Sequence, residues 1–139
     1  MNALIAVAAL LLVPVVGMAA DTEQVERGRY LAIVGDCAAC HTATGAGIPR
    51  LFPTLSGSAV VQSPDPVTLA RVVLIGAQAV ATAEAPTGPA MPAFGWKLSD
   101  AQTASVLTYI RNAWGNVAPA VDAGTVASTR RHLAQRAGN

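Results

Sequence analysis

The sequence predicts a small all-α domain of three to five short helices. Apolar residues recur with helical spacing in three separate segments of the 139-residue chain. The segments between them are rich in Gly, Pro, Ser and Thr and show no sustained period, which is typical of loops. Both cysteines and one of the two histidines fall within residues 37–41, which marks one chemical centre for the fold.

The first two helices are expected at residues 22–35 and 67–76. In the first, Val25, Gly28 and Leu31 share one face, and a glycine at the end acts as a stop signal. In the second, apolar residues follow the i, i+3, i+4, i+7 pattern from Leu69 onward and again end at a glycine. Residues 42–66 and 77–90 are predicted to be loops.

The third helix is expected to begin at Ser99 and to close at Gly115. Ser99 and Gln102 form a capping-box pattern in which each side chain would bond to the other's backbone amide. Val106, Tyr109, Ile110, Ala113 and Trp114 then form one apolar stripe. Residues 119–139 predict a weaker helix, and this C-terminal tail carries Arg130, Arg131 and Arg136.

Residues 1–20 resemble a secretory signal peptide. They carry no charged side chain, are almost wholly apolar, and end in small residues that are typical of a cleavage site. An uncleaved membrane anchor is the alternative, because the apolar run is near the lower length limit for crossing a bilayer. Either interpretation predicts an exported domain at residues 21–118, followed by the tail at 119–139. The formal net charge of +1 gives no indication of nucleic-acid binding.

The pentapeptide from Cys37 through Cys40 to His41 has the C-x-x-C-H pattern. This pattern is typical of c-type haem attachment: each thiol forms a thioether to one vinyl group of a porphyrin, and the neighbouring imidazole reaches the iron. The sequence therefore predicts one covalently bound haem c, with Cys37, Cys40 and His41 as binding residues.

Three other interpretations use the same residues. A thioredoxin-like dithiol does not need His41 and belongs near a βαβ pattern, which is not evident. A structural zinc site needs four ligands, and the chain offers only Cys37, Cys40, His41 and the distant His132. A disulfide across so small a ring would be strained and would leave His41 unexplained.

Over residues 22–116 the chain resembles a class I cytochrome c in the order and spacing of its parts as well as in the pentapeptide. The resemblance implies an all-α class I cytochrome c fold, with the short helices wrapped around one covalent haem. It also implies that the carbonyl of Pro53, twelve residues after His41, accepts the Nδ1 proton of that histidine. Leu55 is then expected to touch the porphyrin.

Met91 is the expected second iron ligand. It lies in a stiff loop between Pro89 and Pro92, and it is the only methionine outside the predicted leader. His132 is the competing ligand, but its Arg-rich surroundings favour a solvated surface residue. Arg50 and Gln62 are candidates for contacts with haem carboxylates. Phe94, Trp96, Tyr109 and Trp114 are expected in the core, packed against Gly28 and Tyr30.

With His41 and Met91 on the iron, no coordination position is left for a substrate, so the sequence favours outer-sphere electron transfer over enzymatic chemistry. Residues 91–116 further resemble the last haem domain of the cytochrome c subunits of bacterial membrane-bound alcohol and gluconate dehydrogenases. The expected function is periplasmic electron transfer between a dehydrogenase and a respiratory oxidase or quinone-linked complex. The alternatives are a haem subunit within a membrane-associated dehydrogenase complex, a peroxidase and a gas or redox sensor.

Overall fold

The computed structural model describes residues 20–83 and 88–138. The predicted leader, apart from Ala20, lies outside the described residues. The helices and strands follow in the order α1 (Thr22–Val34), α2 (Cys37–His41), α3 (Val67–Ile75), β1 (Ala77–Gln78), β2 (Ala90–Met91), α4 (Asp100–Ile110) and α5 (Ala123–Ala137). The prediction of a mostly helical fold with three to five short helices is confirmed, since the described residues form five helices and two strands of two residues each. The helices of the described part of the chain are all too short or too polar to cross a bilayer.

Helices α1 and α4 form the principal helix pair of the fold. They approach closely at Gly28, where an added Cβ would collide with the carbonyl oxygen of Ser105 and press on the Cβ of Tyr109. The expected packing of Tyr109 against Gly28 is therefore confirmed. The capping box is also confirmed, since the amide of Gln102 donates to Ser99 Oγ at 3.2 Å and the amide of Ser99 donates to Gln102 Oε1 at 2.9 Å.

Helix α4 ends at Ile110 and not at the expected Gly115. Trp114 adopts a left-handed φ of 55°, which a continuing α-helix cannot contain. Carbonyls in the last turn of the helix accept hydrogen bonds from side-chain amides: Asn112 Nδ2 donates to Thr108 O and Asn116 Nδ2 donates to Ile110 O. These two asparagines compete for carbonyls of the last helical turn, so α4 ends four residues before the expected Trp114 and the chain turns back toward the loops.

The segment after α3 contains a two-residue antiparallel ladder that the sequence did not predict. Ala77 pairs with Met91, and Gln78 pairs with Ala90. Gly76 makes the turn into β1 with φ 75° and ψ −176°, a conformation that essentially only glycine adopts. The ladder therefore fixes Met91 beside the C-terminal end of α3.

Helix α5 folds back onto α3 and α4. Val121 and Val126 are fully buried in the same apolar core as Leu69, Ala70 and Leu107. Asp122 is the N-cap of this helix, and its carboxylate accepts a hydrogen bond from the amide of Thr125 at 2.8 Å. Residues 119–138 thus contribute both a helix and core side chains.

Arg111 is a buried cation at the centre of this arrangement, with 1% of its surface exposed. Its guanidinium donates to the carbonyl oxygens of Val61 and Ser63, both at 2.8 Å, and of Pro119 at 3.0 Å. Burial lowers the pKa of Arg111 from its ordinary value, and the three carbonyls satisfy a charge that would otherwise be costly to bury. Arg111 thereby connects the long loop, residues 42–66, to the segment that leads into α5.

The aromatic predictions are only partly confirmed. Tyr109 and Trp114 meet edge to face with ring centroids 5.5 Å apart, and Phe94 packs against the core. Trp96 was expected in the core, which is wrong: it is 85% exposed. Tyr30 is 63% exposed and points away from the α1–α4 contact, because Gly28 and Ala32 occupy the buried face of α1.

Candidate haem site

An apolar cavity of about 470 Å³ lies between the helices and the long loop. Its volume is within the range of small-molecule and cofactor sites. Most of its lining side chains are aliphatic, including Leu31, Val61, Leu69, Val73 and Val106. Its few polar or sulfur-bearing groups include Cys37, His41 and Met91. The cavity therefore combines an apolar enclosure with a small set of soft and aromatic donors.

The pentapeptide forms the single helical turn α2 along one wall. Asp36, with a left-handed φ of 58°, breaks the chain direction between α1 and α2. Thr42, with a φ of 63°, ends the turn on its other side. Cys37 and His41, four residues apart on α2, both line the cavity, whereas Cys40 is half-buried on the same turn and is not part of the lining.

The His41 ring is held by the carbonyl of Pro53. Nδ1 of His41 lies 3.0 Å from Pro53 O. Because a carbonyl oxygen only accepts hydrogen bonds, Nδ1 carries a proton, and in the neutral ring the lone pair is then on Nε2. The backbone reinforces this placement, since the amide of Gly47 donates to His41 O at 2.9 Å. The imidazole is thus oriented and in the tautomer that a metal-binding histidine requires.

Leu55 lies in the cavity wall on a strongly braced stretch of loop. Its carbonyl accepts Asn116 Nδ2 at 3.0 Å, and its amide donates to Gly45 O at 2.7 Å. Trp114 adds a further tie, since Nε1 donates to Ala43 O at 2.9 Å. Sequence reasoning missed Asn116, although the turn residues Trp114, Gly115 and Asn116 after the helix were a signal of a structured corner.

Met91 reaches the cavity from the ladder after α3. Its backbone is fixed by the pairing with Ala77, and its partly buried side chain packs against the core. Three residues further along, the chain is held to α3, because the amide of Phe94 donates to Val73 O at 2.9 Å and the amide of Gly95 donates to Leu74 O at 3.0 Å. The segment that carries Met91 is therefore attached to β1 at Met91 and to α3 at Phe94 and Gly95.

The chemistry of the cysteines is unlike that of a redox dithiol. Both thiols are free. Burial raises the pKa of the Cys37 thiol, whereas reactive dithiol enzymes lower it to expose a thiolate. In the described ranges, no three His, Cys, Asp or Glu side chains come together as a metal-binding group, which leaves the zinc interpretation without ligands there.

The structure brings together five of the six predicted site residues on one cavity lining: Cys37, His41, Pro53, Leu55 and Met91. Cys40 lies on the same helical turn, outside the lining. His132 is exposed on α5 and does not line this cavity, and neither do Arg50 and Gln62. Phe94 and Val61 line it without having been predicted as site residues.

These residues fit a haem c. The enclosure is apolar, as a porphyrin face requires, and its donors are an imidazole with a free Nε2 lone pair and a thioether, a pair known to ligate haem iron. The two thiols three positions apart on α2 match the spacing of covalent attachment.

Comparison with known proteins agrees with this geometry. A family model described as Cytochrome c matches residues 25–114. The chain is 44% identical over 94 residues to the alcohol dehydrogenase (quinone) cytochrome c subunit of Gluconobacter oxydans (strain 621H), a match that covers 68% of this chain and 19% of that protein. It is 44% identical over 102 residues to the gluconate 2-dehydrogenase cytochrome c subunit of Pantoea cypripedii, covering 70% of this chain and 23% of that protein.

A third relative, the alcohol dehydrogenase (quinone) cytochrome c subunit of Gluconacetobacter polyoxogenes, is 41% identical over 86 residues. The chain spans only about a fifth of the length of these curated relatives. The resemblance drawn from the sequence is confirmed. Because the matched range carries the pentapeptide, the His41 support and Met91, the chain belongs to the cytochrome c family, whose members bind haem c covalently and carry electrons.

Proposed function

We propose that this protein is an exported, periplasmic electron carrier with one haem c, ligated by His41 and Met91 and attached through Cys37 and Cys40. The observation that carries the proposal is the 3.0 Å contact between His41 Nδ1 and Pro53 O on the wall of an apolar cavity that Met91 also lines. That contact prepares one iron ligand, and the methionine supplies a second of different chemistry.

When bound, the haem supplies a one-electron iron couple, whose potential a methionine ligand opposite histidine raises relative to two histidines. The residues of the chain set the conditions for that couple. His41 presents Nε2 in a fixed orientation, because Pro53 O holds the opposite ring nitrogen. The backbone of Met91 is held by its ladder with Ala77, so its side chain starts from a fixed point at the cavity wall.

The apolar lining has a second consequence for function. Aliphatic residues such as Leu55, Val61 and Val73 make most of the lining apolar, and among the described residues that line the cavity there is no carboxylate and no histidine other than His41 that would act as a distal acid or base. A group held between two protein ligands in such a site exchanges electrons with a partner rather than transforming a bound substrate. The lining of the cavity therefore favours an electron carrier over a peroxidase or a gas sensor.

Export is proposed on the composition of residues 1–20, which are uncharged in their side chains and end in small residues. In bacteria, haem attachment to C-x-x-C-H pentapeptides takes place outside the cytoplasmic membrane. The proposed partners are redox proteins: a periplasmic dehydrogenase as donor and a respiratory oxidase or quinone-linked complex as acceptor.

A second candidate function is that of a haem subunit within a membrane-associated dehydrogenase complex. It is favoured by the relatives, which are cytochrome c subunits of alcohol and gluconate dehydrogenases at 41–44% identity. The two candidates share the haem chemistry and differ in whether the protein leaves its electron donor between turnovers.

Carbon monoxide binding tests the carrier proposal. The ferrous wild-type protein is expected not to bind carbon monoxide at neutral pH, because Met91 fills the sixth position, whereas Met91→Ala is expected to bind it. Ready binding by the wild type would favour an enzyme or sensor. Gel filtration of the native protein from its source then separates the two candidates, since a carrier elutes alone and a subunit elutes with a dehydrogenase.

A further inference from the structure

Arg130 on α5 contacts the segment that follows Met91. Its guanidinium donates to the carbonyl oxygen of Gly95 through Nη1, to that of Leu98 through Nη2 at 3.0 Å, and to Asp100 Oδ1 through Nε at 2.8 Å. One side chain therefore connects the end of the Met91 loop, the entry to α4 and the C-terminal helix.

The same loop is held from the opposite side by α3. The amides of Phe94 and Gly95 donate to Val73 O and Leu74 O, at 2.9 and 3.0 Å. Gly95 is thus fixed at its amide by α3 and at its carbonyl by Arg130. An added Cβ at Gly95 would lie against Leu74 O and 3.1 Å from Arg130 Nη1, so Gly95 is tightly packed between α3 and the Arg130 side chain.

The geometry requires arginine at this position. The planar guanidinium directs its donors in a fixed fork and reaches three acceptors at once, whereas a lysine ammonium at the end of a flexible stem is a single point donor. The ion pair with Asp100 is about one-third exposed on each side chain, so it contributes little by itself. The hydrogen bonds from Arg130 to the carbonyl oxygens of Gly95 and Leu98 are what fix the position of the loop.

We propose that Arg130 is a positioning residue for the Met91 ligand: it clamps the loop at residues 95–98 against α3 and so keeps the thioether at the iron. Arg130 lies beyond residues 25–114, the range that the family model matches, whereas the loop that it holds lies within that range. The clamp is therefore a contribution of the α5 extension to the site. This inference rests on the proposed ligation by Met91.

Imidazole competition in the full-length ferric holoprotein tests the clamp. Imidazole binds the iron only when the Met91 loop gives way, so its apparent affinity reports the stability of the loop. Arg130→Gln is expected to raise that affinity by roughly tenfold, the effect of losing one hydrogen bond to a charged group. It should also make the far-red sulfur-to-iron absorption band disappear at a lower temperature than in the wild type.

Two controls separate loop positioning from general stability. Arg131→Gln changes an exposed arginine on the same helix and should leave imidazole affinity unchanged. Asp122→Ala removes the N-cap of α5 without touching the loop, so it should lower the melting temperature with no comparable gain in imidazole affinity. An equal gain in Asp122→Ala would overturn the proposal, because the effect would then come from global stability.

Arg130→Lys keeps the charge but loses the fork, and it is expected to fall between wild type and Arg130→Gln. It also decides the matter if Arg130→Gln does not fold: wild-type imidazole affinity in Arg130→Lys would overturn the clamp. If the wild-type protein shows the far-red band and a folded Arg130→Gln variant binds imidazole with wild-type affinity, the clamp is overturned but the ligation by Met91 is not. A wild-type protein without that band would overturn the Met91 ligation, and the clamp with it.

Discussion

Gly76 lies so close to the carbonyl oxygen of Met91 that an added Cβ would collide with it. The turn at Gly76 passes directly into the ladder in which Ala77 pairs with Met91. The end of α3 and the methionine segment therefore share one tightly packed backbone contact, and the position of the proposed ligand depends on a residue without a side chain.

Gly76→Ala is expected to displace Met91. Its φ of 75° and ψ of −176° belong to a region that alanine strongly disfavours, and the new methyl group would meet Met91 O and, at 3.0 Å, the amide nitrogen of Ala93. We expect the free energy of unfolding to fall by about 3 kcal/mol and the far-red band to weaken.

Gly57→Ala is the matched control for that change. Gly57 also has a positive φ, 69°, but an added Cβ there would meet no atom within 4 Å. It should cost only the backbone penalty of about 1–2 kcal/mol and leave the far-red band intact. Chemical denaturation and absorption spectra of both variants check the prediction, and equal effects on the band would contradict the role of the Gly76 contact.

The haem is expected to be bound covalently through both thiols of α2. Denaturation in acidic acetone should leave the pigment on the polypeptide, and the Cys37→Ala, Cys40→Ala double variant should yield no covalent holoprotein. The single pentapeptide predicts one haem per chain. Extraction of the pigment from the wild-type protein would contradict this prediction.

Asp122 is expected to make the stability of α5 depend on pH. Hydrogen bonds from the hydroxyl and amide of Thr125, at 2.7 and 2.8 Å, lower the pKa of Asp122 in the folded protein. A lowered folded pKa means that the stabilisation is present above the unfolded value and is lost as the pH falls through the folded one. The loss should therefore begin below about pH 4.

Asp122→Asn tests this without removing the cap, because the amide oxygen of asparagine can accept the hydrogen bond from the amide of Thr125 and asparagine does not titrate. Its NH2 group cannot accept the second hydrogen bond, which Thr125 Oγ1 donates to Asp122 Oδ2. Urea unfolding at neutral pH should show Asp122→Ala less stable than wild type by about 1 kcal/mol and Asp122→Asn much closer to wild type. Below pH 4 the difference between wild type and Asp122→Asn should shrink. A constant difference across that range would contradict the assignment.

Docking to redox partners is expected to depend weakly on salt. The chain has a formal net charge of +1 and one lysine, Lys97, so long-range steering has little charge to act through. Ala38, Ala39, Pro92 and Ala93 are exposed apolar or small residues beside the α2 and Met91 segments and are the expected contact surface. Reduction rates by the partner should change by about twofold or less between low and physiological ionic strength.

The C-terminal arginines are the feature that would alter this expectation. Arg130 is engaged with the loop, so Arg131 and Arg136 are the exposed cations of α5. An Arg131→Gln, Arg136→Gln double variant should remove whatever salt dependence the wild type shows. A steep salt dependence that persists in this variant would contradict weak steering by the remainder of the domain.

Periodicity and local capping chemistry were sufficient to predict the main helices. Helix α1 occupies Thr22–Val34 and α3 occupies Val67–Ile75, within one residue of the expected ends, because their apolar spacing and terminal glycines are local signals. His41 followed from the C-x-x-C-H motif, and Met91 from its being the only methionine outside the predicted leader. The roles of Pro53 and Leu55 followed from family resemblance, since both are distant in sequence from Met91 and reach the cavity through the loop.

The remainder depended on tertiary contacts that no local pattern encodes. The β1–β2 ladder is two residues long, too short for alternation to be visible. Helix α4 stops early because Asn112 and Asn116 compete for its last carbonyls. Trp96 was wrongly expected in the core because loop aromatics carry no periodicity, and Arg130 on a polar helix gave no indication that it turns inward.

The ligation of the iron by Met91 is the central claim, and the far-red absorption band of the ferric protein tests it most directly. The account predicts that the wild type shows the band, and that Met91→Ala loses it, binds carbon monoxide in the ferrous state and has a lower reduction potential. His132→Ala, a change at an exposed residue on α5, should leave the band and the potential unchanged. An unchanged spectrum in Met91→Ala together with an altered one in His132→Ala would contradict the account.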